Sequence, residues 1–394
     1  MTPVRVTHHS IACATGIGQR AFAAALRSRT SGLRRNDLGA TPLPTWIGRV
    51  EGLEQVVLPG PLAEWDCRNN RLAWLALNAD DFLMHALAAR ERYGAGRVAL
   101  ILGTSTSSIG ATEEAYRRLT PDGLFPVELQ DPVLHSPHSL SDFVRAALGL
   151  EGIAMTVATA CSSSAKVFAQ AERCLRLGLA DAVVVGGVDT LCGSVLYGFN
   201  SLELVASEPC RPFDVDRAGI SLGEAGGFAL IERTGESGPW LLGHGESSDA
   251  HHMSSPHPEG LGAELAMRRA LQSAGVAPGS VDYINLHGTA SQKNDEVEAR
   301  AVAALFPATT HASSTKGWTG HALGAAGMVE SAVCFFALEH DQRPGTLNLT
   351  QPDPACGPQI RPDNASGGVR RALNNSFGFG GSNCSLLFGR APDA

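Results

Sequence analysis

The sequence predicts an α/β fold with buried strands, on three observations. Short β-rich runs alternate with longer Ala- and Leu-rich stretches of helical pattern, the order that packs helices against a largely parallel sheet. Hydrophobic residues make up 44% of the 394 residues and charged ones 18%, which supplies a large core and argues against disorder. The 44 glycines and 22 prolines are spread along the whole length without a low-complexity tract, so one large domain or two tightly packed halves is expected. No short-period repeat is present, which argues against a solenoid.

The elements follow in order. Residues 98–102 read as a strand before a Gly-Thr-Ser turn, residues 153–159 as a strand leading into a helix, and residues 182–188 as the strand after it. Beyond the loop at 208–222, strands are expected at 228–232 and 240–243, a helix at 262–274, a strand at 281–286 and a helix at 325–338. The last segment, 372–389, reads as two strands around a glycine loop.

Charge and cysteine usage narrow the function classes. With 31 Lys and Arg against 39 Asp and Glu, the net charge of −8 leaves no sequence-wide basic footprint for nucleic acid. Nine cysteines, an odd and irregularly spaced set, do not make a disulfide framework, so a reducing, cytoplasmic setting is expected. The first residues lack a charged head followed by an apolar run, and the strongly apolar stretches are strand-length, so neither export nor membrane insertion is expected.

The most informative stretch is Val157-Ala-Thr-Ala-Cys161-Ser-Ser-Ser-Ala165, where a strand ends in small residues and a helix begins. A thiol at a helix amino terminus faces unpaired N–H groups and the positive end of the dipole, which lower its pKa and make it a nucleophile. A lone cysteine is more often a small buried hydrophobe, but two histidines strengthen the catalytic reading. His287 ends a predicted strand ahead of Gly288-Thr289, and Lys316 with His321 stands just before a Gly/Ala-rich helix. Together they form a candidate nucleophile and acid–base set. Zinc binding by the trio is disfavoured because no short paired ligand spacing is present. The histidines at 251, 252 and 257 lie in a polar loop expected at the surface near the site mouth. In Ser376-Phe-Gly-Phe379-Gly-Gly-Ser-Asn383 a strand follows the glycines, which suits a turn offering N–H groups to an oxyanion better than a nucleotide cradle.

Five segments in this order resemble the β-ketoacyl-acyl carrier protein synthases of the thiolase superfamily, the Cys-His-His branch. They are Thr159-Ala-Cys161-Ser-Ser, Arg211-Pro-Phe-Asp214 with Gly223-Glu-Ala-Gly226, His287-Gly-Thr289, residues 316–327, and Asn375-Ser-Phe-Gly-Phe379-Gly-Gly. The resemblance covers nearly the whole chain. It implies a five-layer αβαβα thiolase-like fold built from two similar halves, residues 1–240 carrying Cys161 and residues 241–394 carrying both histidines.

The resemblance further implies a decarboxylative Claisen condensation without a cofactor. Cys161 would hold the acyl group, N–H groups of Cys161 and Phe379 would stabilise the oxyanion, and His287 and His321 would bind the thioester carbonyl of malonyl-carrier protein. Lys316 matches the lysine that shapes the electrostatics of the first histidine, and Glu330 an acid in the following helix. Thr289 and Ser291 match residues that contact the pantetheine arm, and Phe379 the gating phenylalanine. Residues 104–109, Thr106 among them, with Phe199 and Phe377, are expected to line the acyl tunnel or a dimer contact, and the hydroxyls there to favour an unsaturated or aromatic-capped chain. Asp295 and Glu298 fall where the family has structural acids, although a helix-start or solvated role is preferred. Asn285 and Asn375 fall where some members hold a monovalent cation. Arg68 and Arg71 fall where carrier-docking basic residues stand, a solvated helix face being the alternative.

The implied partners are acyl carrier protein and a second subunit, identical or paralogous. Two competing readings remain: a thiolase, disfavoured because Phe379 stands where that class needs a second cysteine, and a non-catalytic chain-length partner, disfavoured by the retained Cys161, His287, His321 and Lys316. One departure stands out. Val6-Thr7 runs into His8-His9 where the family turns at a glycine, which leaves the local amino-terminal packing open.

Overall fold

Ten strands carry the architecture of the computed structural model, which describes residues 1–39 and 41–392. They are β1 (Val4–Cys13), β2 (Val98–Gly103), β3 (Ala154–Val157), β4 (Ala182–Asp189), β5 (Ala225–Glu232), β6 (Trp240–Ser248), β7 (Tyr283–Asn285), β8 (His311–Ser313), β9 (Arg371–Gly378) and β10 (Ser382–Gly389). Their hydrogen-bonded path runs β8-β7-β9-β10-β6-β1-β5-β4-β2-β3. Read outward from the middle, β1-β5-β4-β2-β3 and β6-β10-β9-β7-β8 are the same order. In each set the three outermost strands are parallel and the two inner pairings antiparallel. The two half-sheets touch through β1 and β6 only at Val4–Leu241 and Arg5–Trp240.

Burial explains the layers. The β4 run Ala-Val-Val-Val-Gly-Gly-Val-Asp is buried at every position, as a strand covered on both faces must be. The helix that follows the third strand of each half, Ser163–Arg176 and Ala326–His340, packs against strands of both half-sheets and against the other helix. Every residue from Ala326 to Leu338 is buried, the pattern of a helix with no solvent side. The two helices approach closely because of Gly327, where a Cβ would stand 2.5 Å from the Ala165 nitrogen. Outer helices Arg68–Asn78, Phe82–Tyr93 and Ser139–Leu148 cover the far face of the first half, and Leu261–Ala274 with Gln292–Leu305 that of the second. The stack is therefore helix, sheet, helix, sheet, helix, as the resemblance implied.

The strand expected over 153–159 is shorter, because residues 158–162 leave the ladder to form the turn that carries Cys161. The strand expected from 240 extends to Ser248, and the helix expected to end at 338 continues to His340. At the amino terminus, β1 absorbs the departure at His8-His9 with a register shift between Val6 and His8, and His8 stacks on His85 with ring centroids 3.5 Å apart. All nine cysteines are unpaired. Among the described residues no helix is long and apolar enough to cross a membrane.

Candidate active site

Cys161 sits in a tight turn between β3 and the helix Ser163–Arg176. Ala160 takes a left-handed φ of 52°, a conformation a β-carbon disfavours, so the turn holds local strain beside the nucleophile. Its hydroxyls bind the chain back on itself: Ser163 Oγ donates to the Ala160 carbonyl (2.6 Å), Ser162 Oγ to the Thr159 carbonyl (2.9 Å), and the Thr159 N–H to Ser163 Oγ (2.9 Å). The next strand turn closes in from the other half. Gly378 leaves just enough room, since a Cβ there would come 2.9 Å from the Thr159 carbonyl oxygen.

The thiol does not have the lowered pKa its helix-start position suggested. Cys161 is 4% exposed, and burial pushes it up to about 11, against the pull of the Lys316 ammonium and of the Phe379 N–H that bonds the sulfur. The resting group is therefore a thiol, with His321 Nε2 3.1 Å from Sγ to take its proton.

The two imidazoles arrive from β7 and from the turn after β8. Their ring centroids are 5.3 Å apart at 85°, and one ring nitrogen of each lies with Cys161 Sγ in a set spanning no more than 4.8 Å. His287 is held through its backbone: its N–H and that of Gly288 donate to the two oxygens of Glu298 (2.9 and 2.8 Å). Lys316 Nζ donates to the His287 carbonyl and to Glu330, a fully buried ion pair. Burial pushes the Glu330 carboxyl up to about 6, opposed by the Lys316 ammonium. Burial, with Lys316 adding to it, drives both histidines well below 6.5, so they are neutral at physiological pH.

Cys161, His287 and His321 line a cavity of about 550 Å³, with Lys316, Glu298 and Glu330 behind them. Phe199 and Phe379 stack over it (centroids 5.6 Å, 26°), Phe377 packs beside His287 (6.2 Å), and Thr289 and Ser291, hydroxyls 2.9 Å apart, line the wall. Ser254, Ser255 and Pro256 bring the histidine-rich loop to the mouth. A thiol and two imidazoles this close have the donor set for a transition metal. Metal-ligating histidines, however, have their second nitrogen held by a carboxylate or carbonyl, whereas the buried Nδ1 atoms of His287 and His321 have no partner. The held second nitrogen usual at a metal site is therefore missing from both rings.

Several expectations are corrected. The Thr106 hydroxyl does not line the cavity: with Thr104 it donates to Asp189 (2.6 Å each), which also accepts the N–H groups of Ser105, Thr106 and Ala325. Those two hydroxyls are bound to a buried acid rather than turned into this cavity. Arg68 is the counter-ion of Glu224, which is fully buried, and also pairs with Glu54; Arg71 makes a two-bond pair with Asp66 (2.6 Å each). Neither presents an unpaired docking charge. Asp295 and Glu298 are fully buried, not solvated, and both accept backbone N–H groups. Asn375 Oδ1 accepts from Ser385 (2.8 Å), leaving Asn285 Oδ1 as the one unpaired side-chain oxygen of the two.

Three residues escaped the sequence reading. Asp189 organises the turn after β2, with Gly186-Gly-Val-Asp189 at a strand end as its only signal. Arg217, 6% exposed on the cavity wall, is held by Asp353 (2.5 Å). Lys293 is exposed on the rim with no ion-pair partner among the described residues, and a single lysine after Ser291 carried no distinguishing pattern.

A buried thiol beside two neutral imidazoles, contributed by loops of two like halves, marks the candidate active centre of a thiolase-like fold. Comparison with known proteins narrows the class. Residues 69–237 match the β-ketoacyl synthase N-terminal domain and residues 240–350 the C-terminal domain, and the chain belongs to that family. It is 39% identical over 262 residues to the mitochondrial 3-oxoacyl-[acyl-carrier-protein] synthase of Arabidopsis thaliana, covering 61% of this chain and 57% of that protein. With nodulation protein E of Rhizobium meliloti (strain 1021) the identity is 35% over 304 residues, 74% of this chain and 75% of the relative. Among solved structures, a chain of the ketosynthase–chain length factor complex from Xenorhabdus doucetiae superimposes with a TM-score of 0.88 at 34% identity, covering 99% of this chain and 98% of that one.

Proposed function

We propose that the chain is a β-ketoacyl-acyl carrier protein synthase that condenses an acyl thioester with malonyl-carrier protein in fatty acid, polyketide or polyene synthesis. The observation that supports this most is the convergence of Cys161, His287 and His321 within 4.8 Å at the floor of one cavity. Cys161 attacks the acyl thioester while its proton passes to His321 Nε2. The tetrahedral oxyanion takes hydrogen bonds from the Cys161 and Phe379 N–H groups, and the carrier thiolate leaves with the proton. Malonyl-carrier protein then places its thioester carbonyl against the two imidazoles. Neutral rings donate there without adding a positive charge that would hold the carboxylate in place. Loss of CO₂ leaves an enolate that attacks the acyl-cysteine and expels the Cys161 thiolate, giving a β-ketoacyl thioester longer by two carbons.

The partners follow from the same reading. Carrier protein is acidic, and Lys293 on the rim, not Arg68 or Arg71, is the basic group open to it. The second subunit is a copy of this chain or a paralogue: β3 ends the sheet with every residue only half-buried, an edge open to pairing. The Xenorhabdus relative, a ketosynthase with its chain length factor, favours a paralogue. The alternative, a subunit acting mainly as a chain-length partner, is opposed by the complete set of Cys161, His287, His321 and Lys316. The test is incubation with malonyl-carrier protein and a panel of acyl-carrier proteins, alone and with candidate sister subunits. Product masses two carbons longer at the β-keto level, absent with Cys161→Ala, support the synthase; turnover unchanged by that substitution contradicts it.

A further inference from the structure

A second cavity, of about 450 Å³, opens where the two half-sheets meet, and shares no lining residue with the active-site cavity. His9, Gln19, Asp80, Leu338, Glu339 and Arg390 contribute to its wall. It lies at the carboxyl end of the helix Ala326–His340, whose amino end bonds the helix that follows Cys161 (Met328 N–H to Ser164 Oγ, 2.9 Å). Glu339, exposed, lines it without a hydrogen bond or ion pair among the described residues, at a helix end where the dipole disfavours a negative charge. It keeps solvent access through the cavity, yet surrounding protein pushes its carboxyl up to about 7 with no cation opposing the rise. Asp80, held with φ at 55°, accepts only N–H groups, those of Gln19 among them (2.9 and 3.1 Å), and burial raises it as well.

His9 supplies a second, independent observation. It is 8% exposed, packs edge-on against Phe335 (4.9 Å), and its ring has no hydrogen-bond partner among the described residues. Burial, with His8 adding to it, lowers it to about 4, so the ring is neutral and one nitrogen is a vacant acceptor. The Gln19 amide, which could have answered it, donates instead to the His9 carbonyl (2.5 Å). Arg390, the basic group in the wall, is paired with Asp341 (2.9 Å). One exposed carboxylate without a partner among the described residues, Glu339, and an open imidazole acceptor therefore face one space, beside a second carboxylate, Asp80, that is held by backbone N–H groups. Among the described residues only Cys161, His287 and His321 gather three metal-ligand atoms, so this wall is not a metal cage.

We propose that this cavity binds a small organic ammonium ion, its N–H groups donating to Glu339 and His9 and its carbon stem lying on Val6, Pro239 and Leu338. No lining group offers an anion an unpaired positive charge, and an ammonium gives Glu339 the counter-charge it lacks.

Calorimetric titration of the full-length protein at pH 8 with putrescine, spermidine and butylammonium, and separately with butyrate and inorganic phosphate, tests this. Saturable one-to-one binding of at least one ammonium compound is expected. It should persist after alkylation of Cys161, weaken about tenfold or more in Glu339→Gln, and be largely kept in Glu339→Asp, with circular dichroism showing both variants folded. No saturation by any of the amines below about 10 mM overturns the proposal, as does full-strength binding by Glu339→Gln or tighter binding of butyrate or phosphate.

Discussion

The two halves of the molecule share one strand order and use its equivalent positions differently. After the second strand of the first half, β2, the turn at Thr104 and Thr106 is bound to Asp189 and serves only to hold the backbone. After the second strand of the other half, β7, the corresponding turn presents His287 and is bound to Glu298. After the third strands the contrast is between a nucleophile, Cys161, and the pair Lys316 and His321. Each half thus anchors a loop on a buried acid at the carboxyl ends of parallel strands, where open α/β sheets bind ligands. The repeated strand order brings the two sets to one site, with sulfur contributed by one half and imidazole by the other.

Substitutions can break that comparison at its strongest point. His321→Ala should lower both acylation of Cys161 and condensation, by about 10² to 10⁴, because it removes the proton acceptor 3.1 Å from sulfur. His287→Ala should spare acylation and lower condensation to a similar degree. Stopped-flow acylation against steady-state product formation separates the two, and equal loss of acylation in both variants would erase the division of labour. Arg68→Ala should destabilise the fold by about 3 kcal/mol in urea unfolding, leaving Glu224 buried without its counter-ion. Arg71→Ala should cost under about 1 kcal/mol, as for a partly exposed pair. A rise in KM for carrier protein from Arg68→Ala, with stability untouched, would restore the docking role.

Glu298→Gln sharpens the comparison of anchors. An amide offers one acceptor where the carboxylate offered two, so the His287 or Gly288 N–H loses its partner and kcat should fall about tenfold with KM unchanged. The thiol gives a pH signature: held near 11, its alkylation by iodoacetamide should still climb about tenfold per pH unit between 7 and 9, because only the thiolate reacts. A plateau below pH 8 would mean the helix start outweighs burial. The smallest effect is expected from Thr106→Val, which removes a hydroxyl bound to Asp189 and should leave the distribution of acyl-chain products unchanged.

What was legible in the sequence follows the same line. Strand and helix order, and the placing of Cys161, His287, Lys316 and His321 at element ends, rest on local pattern, and small residues around a nucleophile leave a mark in sequence. Burial leaves none. The position of Cys161 at a helix start suggested an acidic thiol, and only the enclosure supplied by the second half reverses it. Arg68 and Arg71 read alike on one helix face, yet Arg68 meets a buried acid more than 150 residues away while Arg71 meets a neighbour, Asp66. The hydroxyls of residues 104–106 looked like a tunnel wall because Asp189, their partner across the sheet, is distant in sequence.

The most direct measurement is peptide mass spectrometry of the protein after brief exposure to acyl-carrier protein and again after malonyl-carrier protein is added. An acyl group on the Cys161 peptide, lost in the second step as the extended β-ketoacyl thioester appears on the carrier, is the predicted result. An unmodified Cys161 peptide throughout, with product still forming, would contradict the account.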